Sequence, residues 1–199
     1  MREPAQNGHD ETMTGRHLAS RVETRFEELK RYVRFDADDA RALLELLPAA
    51  RPHFVRIARE FYERIREHEE AHAVFTGEAQ IERLQRSMVT WMERILSGTY
   101  DEAYYEEARK IGRVHVRVGL PQHYMFTAMA LLRVALDAVA QKTLGAGAEK
   151  FRFALSRILD LELAIMVESY RDDLTAQSDR KSTRLNSSHL RLSRMPSSA

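Results

Sequence analysis

RKIGRVHVRVGLPQHYMF, residues Arg109 to Phe126, sets one histidine among three valines and an isoleucine, with Gly112 before it and Gly119 after it. On a helix, the neighbours of His115 on its own face are Ile111 and Gly112 behind, Val118 and Gly119 ahead. Two of those four have no side chain. A glycine inside a helix costs about 1 kcal/mol relative to alanine, and an imidazole buried without a partner costs about 1–3 kcal/mol. Two readings account for both. A flat apolar cofactor, ligated through its metal by the imidazole, would explain the histidine, the valines and the gap together. Alternatively, His115 is a core histidine satisfied by a backbone carbonyl, and Gly112 is a notch where two helices cross. The spacing alone leaves both open.

The rest of the chain narrows the class. Its 199 residues, 44% hydrophobic and 31% charged, suit one domain that buries about two-thirds of its unfolded surface. A formal net charge of +1 supplies no basic footprint for phosphate backbones, so nucleic acid is not an expected partner. Nor is a membrane. The longest apolar run, MFTAMALLRVALDAVA, is broken by Arg133 and Asp137 and falls short of the roughly 20 residues that span a bilayer. MREPAQNGHDETMTGR at the N-terminus has no apolar signal core, and the chain has no cysteine, so the expected location is cytoplasmic.

Periodicity predicts helices throughout. Leu18, Val22, Phe26 and Leu29 mark one face of a first helix, followed after FDADD by a short one, Ala40 to Leu47, that Pro48 ends. Pro52 opens the next, His53 to about Glu67, with Phe54, Ile57, Ala58, Phe61 and Ile65 on its buried stripe. Ile81, Leu84, Met88, Trp91, Met92 and Ile95 mark another. Gly98 closes it, and TYDE reads as a capping box of Thr99 and Glu102 that opens the helix of His115. That helix stops at Gly119. Two long helices follow, about Gln122 to Thr143 and Glu149 to Asp173, each apolar on more than one face, which makes them central or shared between subunits. Residues 1–13 are expected to be loose, 14–178 to form the domain, and 179–199 to be an unstructured, adaptor-like tail. Removing the four positive charges of the segment KSTRLNSSHLRLSRMPSSA from the chain's formal +1 leaves the first 180 residues at −3.

Three further features carry potential chemistry. Tyr62 sits at the edge of its buried stripe, where a phenol either points inward as a hydrogen-bond donor to a ligand or snorkels outward. Ser87, beside Met88, either joins that site or bonds back to its own helix. HEEAH, His68 to His72, matches the zinc pattern H-E-x-x-H, with Glu93 as a conceivable third ligand. Its surroundings are polar on all sides, so a zinc protease is not expected.

IGRVHVRVGLPQHYMFTAM resembles the proximal signature of globin-coupled sensors, I-G-x-x-H-x-R-I-G-L followed by proline and an aromatic pair. FYERI, IERLQRSM and GTYDEAYYEEAR resemble that family's other helices in order and spacing, so the resemblance covers about Leu18 to Tyr170. It implies an all-α, globin-like fold with an extra N-terminal helix, Thr14 to Tyr32, and a homodimer formed through the last two helices. It implies heme b (iron protoporphyrin IX), with His115 as the proximal iron ligand and Tyr62 as the distal phenol. Leu84 matches the distal residue that controls ligand access, Ser87 a threonine that shares the oxygen hydrogen bond, and Phe75, Met88, Trp91, Val118 and Tyr124 the lining. Some members have Trp-Tyr where this chain has Tyr124 and Met125, so a phenol for the proximal imidazole is missing. The function implied is a sensor of oxygen or other diatomic gases (CO, NO), without catalysis of its own, signalling to an output module beyond this chain. The alternative is a heme-free globin-fold module for dimerisation in stress signalling.

Overall fold

The computed structural model describes residues 22–192, and the regular structure among them is helix alone. In order the elements are α1 (Arg25–Tyr32), α2 (Ala37–Ala50), a 3-10 turn (Arg51–His53), α3 (Phe54–Arg66), α4 (Glu69–His72), α5 (Glu78–Ile95), α6 (Glu102–Arg117), α7 (Gln122–Leu144), a second 3-10 turn (Gly145–Gly147) and α8 (Ala148–Leu192). The all-α expectation holds. The expected loose segment 1–13, the first part of the expected N-terminal helix and residues 193–199 lie outside the described residues.

α8 is the spine, packed against α6, α7 and α2. Leu155, Ile158, Leu159, Leu161, Ile165 and Met166 are all at most 1% exposed, so its apolar circumference is covered largely within one chain. α7 differs. Leu132, Leu136 and Ala140 face the core, while Phe126, Leu131 and Val134 stay at the surface. The span Gln122–Asp173 is long and apolar enough to cross a membrane by length and composition, yet its Arg133–Asp160 and Arg152–Asp137 pairs and buried leucines mark it as the core of a helical bundle.

Four details differ from the sequence expectations, each for a local reason. α1 starts at Arg25, because Thr24 and Glu27 form a reciprocal capping box on extended backbone, and Val22 is exposed rather than on a buried face. Pro48 does not end α2. The helix runs on to Ala50, whose burial with Leu43 and Leu46 outweighs the hydrogen bond that proline forfeits. Asp101, not Thr99, caps α6, its carboxylate accepting from the Tyr104 amide at 2.9 Å. Glu102 instead accepts from the Thr24 hydroxyl, tying the start of α6 to the cap of α1. Finally, α8 continues through the segment expected to lack structure, as far as Leu192, since extending a helix needs no new nucleus.

Candidate functional site

Gly112 is explained by packing. A Cβ built there would lie 2.6 Å from Ser169 Oγ and 2.9 Å from Met166 Cα, so α8 crosses α6 at that point and the glycine admits it. Of the two readings of Gly112, the structure supports the helix-crossing notch. His115, three residues further on, meets a different environment. It is half-buried, and its Nδ1 is sealed from solvent without a well-formed hydrogen bond, although the Ile111 carbonyl lies within its reach. Burial pushes the imidazole pKa down, and the Ile111 carbonyl one turn back opposes that effect only in part. The neutral ring so favoured is the form that can ligate a metal.

The end of this helix is fixed. Gly119 takes φ +71°, a left-handed conformation open to glycine, and the Leu120 amide donates to the His115 carbonyl at 3.1 Å. Tyr170 on α8 donates its hydroxyl to the Leu120 carbonyl at 2.9 Å. His115 is thereby held through its backbone, while its ring has only the Ile111 carbonyl within reach.

α3 and α5 pack on each other and carry the other candidate residues. Tyr62 on α3 is 8% exposed, with Phe61 and Phe75 edge-on to its ring at 5.3 and 5.9 Å. Its hydroxyl has no hydrogen-bond partner among the described residues, and burial pushes its pKa up to about 12. It therefore stays a protonated donor at neutral pH. Leu84, Met88 and Trp91 recur at helical spacing on α5 and are half-buried, as is Phe75. Ser87 does not join them. It is exposed and donates to the Arg83 carbonyl at 3.2 Å, because it lies one residue off the stripe and its hydroxyl finds the acceptor one turn back. Val118, the C-cap of α6, is 40% exposed. Tyr124, at the start of α7, is half-buried with its ring beside His123 and His68. Met125 is buried and offers the imidazole no phenol.

The two walls stand apart. α6 packs closely on α8, and α3 on α5 and α7, whereas neither α3–α6 nor α5–α6 is a closely packed pair. The imidazole is thus carried by α6 and the phenol by α3, with half-buried apolar residues at Phe75 and along α5. Those residues fit a flat apolar group with a metal at its centre: the histidine could ligate it and the apolar walls could cover it.

Sequence reading missed one group at this site. Glu162 on α8 is 0% exposed, accepting from Trp91 Nε1 at 3.1 Å and from Arg94 at 3.3 Å. The signal was present: Glu162 is the lone carboxylate in the apolar run LELAIM, and a carboxylate so placed needs buried partners.

Residues 22–176 match the family model Protoglobin. Among solved structures, the chain is similar to the globin domain of a globin-coupled sensor from Geobacter sulfurreducens, at 32% identity and a TM-score of 0.69, covering 73% of this chain and 97% of that one. It also shares its fold with the globin domain of E. coli DosC in the ferric and ferrous forms, at 19% identity and a TM-score of 0.59, covering 71% and 97%. The helices that carry His115 and Tyr62 are thus set in a globin fold, and the chain belongs to the protoglobin family.

Proposed function

We propose that this chain is a heme-binding sensor of oxygen and related diatomic gases, cytoplasmic and homodimeric, that signals through its last helices to an output module. The observation that carries the reading is the His115 Nδ1 on α6, sealed from solvent without a well-formed hydrogen bond, and the buried, protonated Tyr62 phenol on α3 would be the donor to a bound gas. The similarity to a sensor globin domain supports it.

Heme iron, held by the His115 imidazole, supplies an open coordination position for a diatomic gas. The residues of the chain decide which gas stays. Tyr62 keeps its proton because burial disfavours the phenolate, so its hydroxyl donates to whatever carries negative charge in the cleft. A donor to a charged or strongly polarised acceptor is worth about 1.5–3 kcal/mol, and oxygen is more polarised than carbon monoxide in such a position. That corresponds to roughly ten- to a hundredfold in retention. Phe61, Phe75, Leu84 and Met88 limit the access of competing water.

The sensing step needs two states of different ligand affinity. α6 ends at the Gly119 corner, which α8 holds through Tyr170, so displacement of His115 reaches the helix that leads out of the domain. The uncovered Phe126, Leu131 and Val134 on α7 provide an apolar face for a second subunit.

The test is an absorption spectrum of the purified, heme-reconstituted protein, reduced and then exposed to oxygen or carbon monoxide. A Soret band that moves with each gas is the expected result. Absence of the band after reconstitution would overturn the reading in favour of a heme-free module.

A further inference from the structure

Trp91 continues the half-buried stripe of Leu84 and Met88 on α5, the stripe assigned above to the heme side, and its Nε1 donates to Glu162, a fully buried carboxylate on α8. We propose that Glu162 positions Trp91 and couples the cleft to α8, so that a change in the cleft is passed to the exit helix through this carboxylate. The inference rests on the heme reading of the cleft given above and adds a residue to it.

The donors around Glu162 outnumber its bonds. Oε2 accepts from Trp91 and Oε1 from an Arg94 terminal nitrogen. Arg94 Nε and the Tyr104 hydroxyl are also sealed from solvent; neither makes a well-formed hydrogen bond, and the hydroxyl lies within reach of the Glu162 carboxylate. The Arg94 guanidinium lies over the Tyr104 ring at 5.0 Å. Burial raises the Tyr104 pKa well above the ordinary phenol value, with the Glu162 charge adding to the effect, so this hydroxyl too is a donor in reserve.

Such a carboxylate has two alternative sets of donors. In the one observed, Trp91 and Arg94 share the carboxylate. If a group in the cleft draws Trp91 away, Oε2 loses its donor in a site sealed from solvent, and Arg94 Nε or Tyr104 can take the position, the arginine then binding bidentately. Because Glu162 is embedded among Leu159, Leu161, Ile165 and Met166, the exchange pulls on α8 itself. Discrete alternatives in a packed core transmit small shifts as steps rather than as gradual deformation.

Trp91 is the single tryptophan of the chain, so ultraviolet resonance Raman reports the hydrogen bonding of its indole N–H without overlap. In the heme-loaded wild type, the expected result is a shift of that indole band between the reduced, gas-free protein and its carbon monoxide form. It should be accompanied by a change in hydrogen–deuterium exchange of α8 around Glu162. Glu162→Gln keeps the shape and removes the charge; heme and carbon monoxide uptake should persist while the α8 exchange response is lost. If that variant fails to fold, Trp91→Phe removes the same bond from α5 and should lose the same response. An indole band unchanged by gas in the wild type, or a full α8 response in either variant, would overturn the proposal. A wild type that takes up no heme would overturn the reading of the cleft instead.

Discussion

Gly112 and His115 stand three residues apart on α6 and meet opposite conditions. At Gly112 the backbone of α8 comes so close that no Cβ fits; at His115 a ring nitrogen is enclosed without a well-formed hydrogen bond. One helix therefore has a position completed by the protein's own packing and, a turn further on, a position that the protein leaves chemically unfinished. Local rules are broken at both, but only the second breach lacks an internal explanation, and such a breach is where function is expected.

The largest effect should come from filling the completed side. Gly112→Leu drives a side chain into Met166 and Ser169, and overpacking of this kind costs about 3 kcal/mol. Thermal unfolding should show a midpoint lower by several degrees, at about 2–4 °C per kcal/mol for a chain of this size. An unchanged midpoint would mean that α8 does not cross α6 there.

On the unfinished side, Tyr62→Phe should leave stability almost unchanged, since the hydroxyl has no partner to lose among the described residues. Its cost appears with the gas. Oxygen release should accelerate roughly ten- to a hundredfold, from a lost bond of about 1.5–3 kcal/mol, while carbon monoxide release barely changes. Stopped-flow displacement measures both. Equal acceleration of the two gases would remove Tyr62 from its assigned role.

A smaller effect concerns the start of α6. Asp101→Ala should cost about 1 kcal/mol in chemical denaturation through loss of the helix cap, and Thr99→Ala should have almost no effect. The reverse order would restore the cap that the sequence suggested.

Acid should act on the unfinished side as well. The His115 pKa is lowered from 6.5 in the folded protein by burial, so below that value the unfolded chain binds the proton more readily. Stability should fall as pH drops from 6.5 toward the folded value, and His115→Leu should flatten that part of the profile. A profile of the same slope in the variant would place the titration elsewhere.

His115 and Tyr62 stood out in the sequence because each departs from a clear pattern, one a polar ring among valines, the other a phenol beside a buried phenylalanine; the pattern left their roles open, and only the family resemblance assigned them. The helix order was readable for the same reason, with Gly98 and Gly119 closing helices where expected. What was hidden depends on distant partners. The meaning of Gly112 was ambiguous until Ser169 was placed against it. Glu162 finds Trp91 across 71 positions of chain, and no local period announces such a pair. Ser87 and Leu84 occupy the same helix, and their faces separate only when the stripe is seen against α3. At Pro48 and Thr99, burial and a competing cap overrode local signals that were sound in themselves.

The account depends on the bond between the His115 ring and heme iron, and titration of heme into the purified protein and its His115→Ala variant, followed at the Soret band, tests it. The wild type should saturate with a histidine-ligated spectrum, and the variant should bind weakly with an altered band. A variant that takes up heme with the same affinity and the same spectrum would contradict the account.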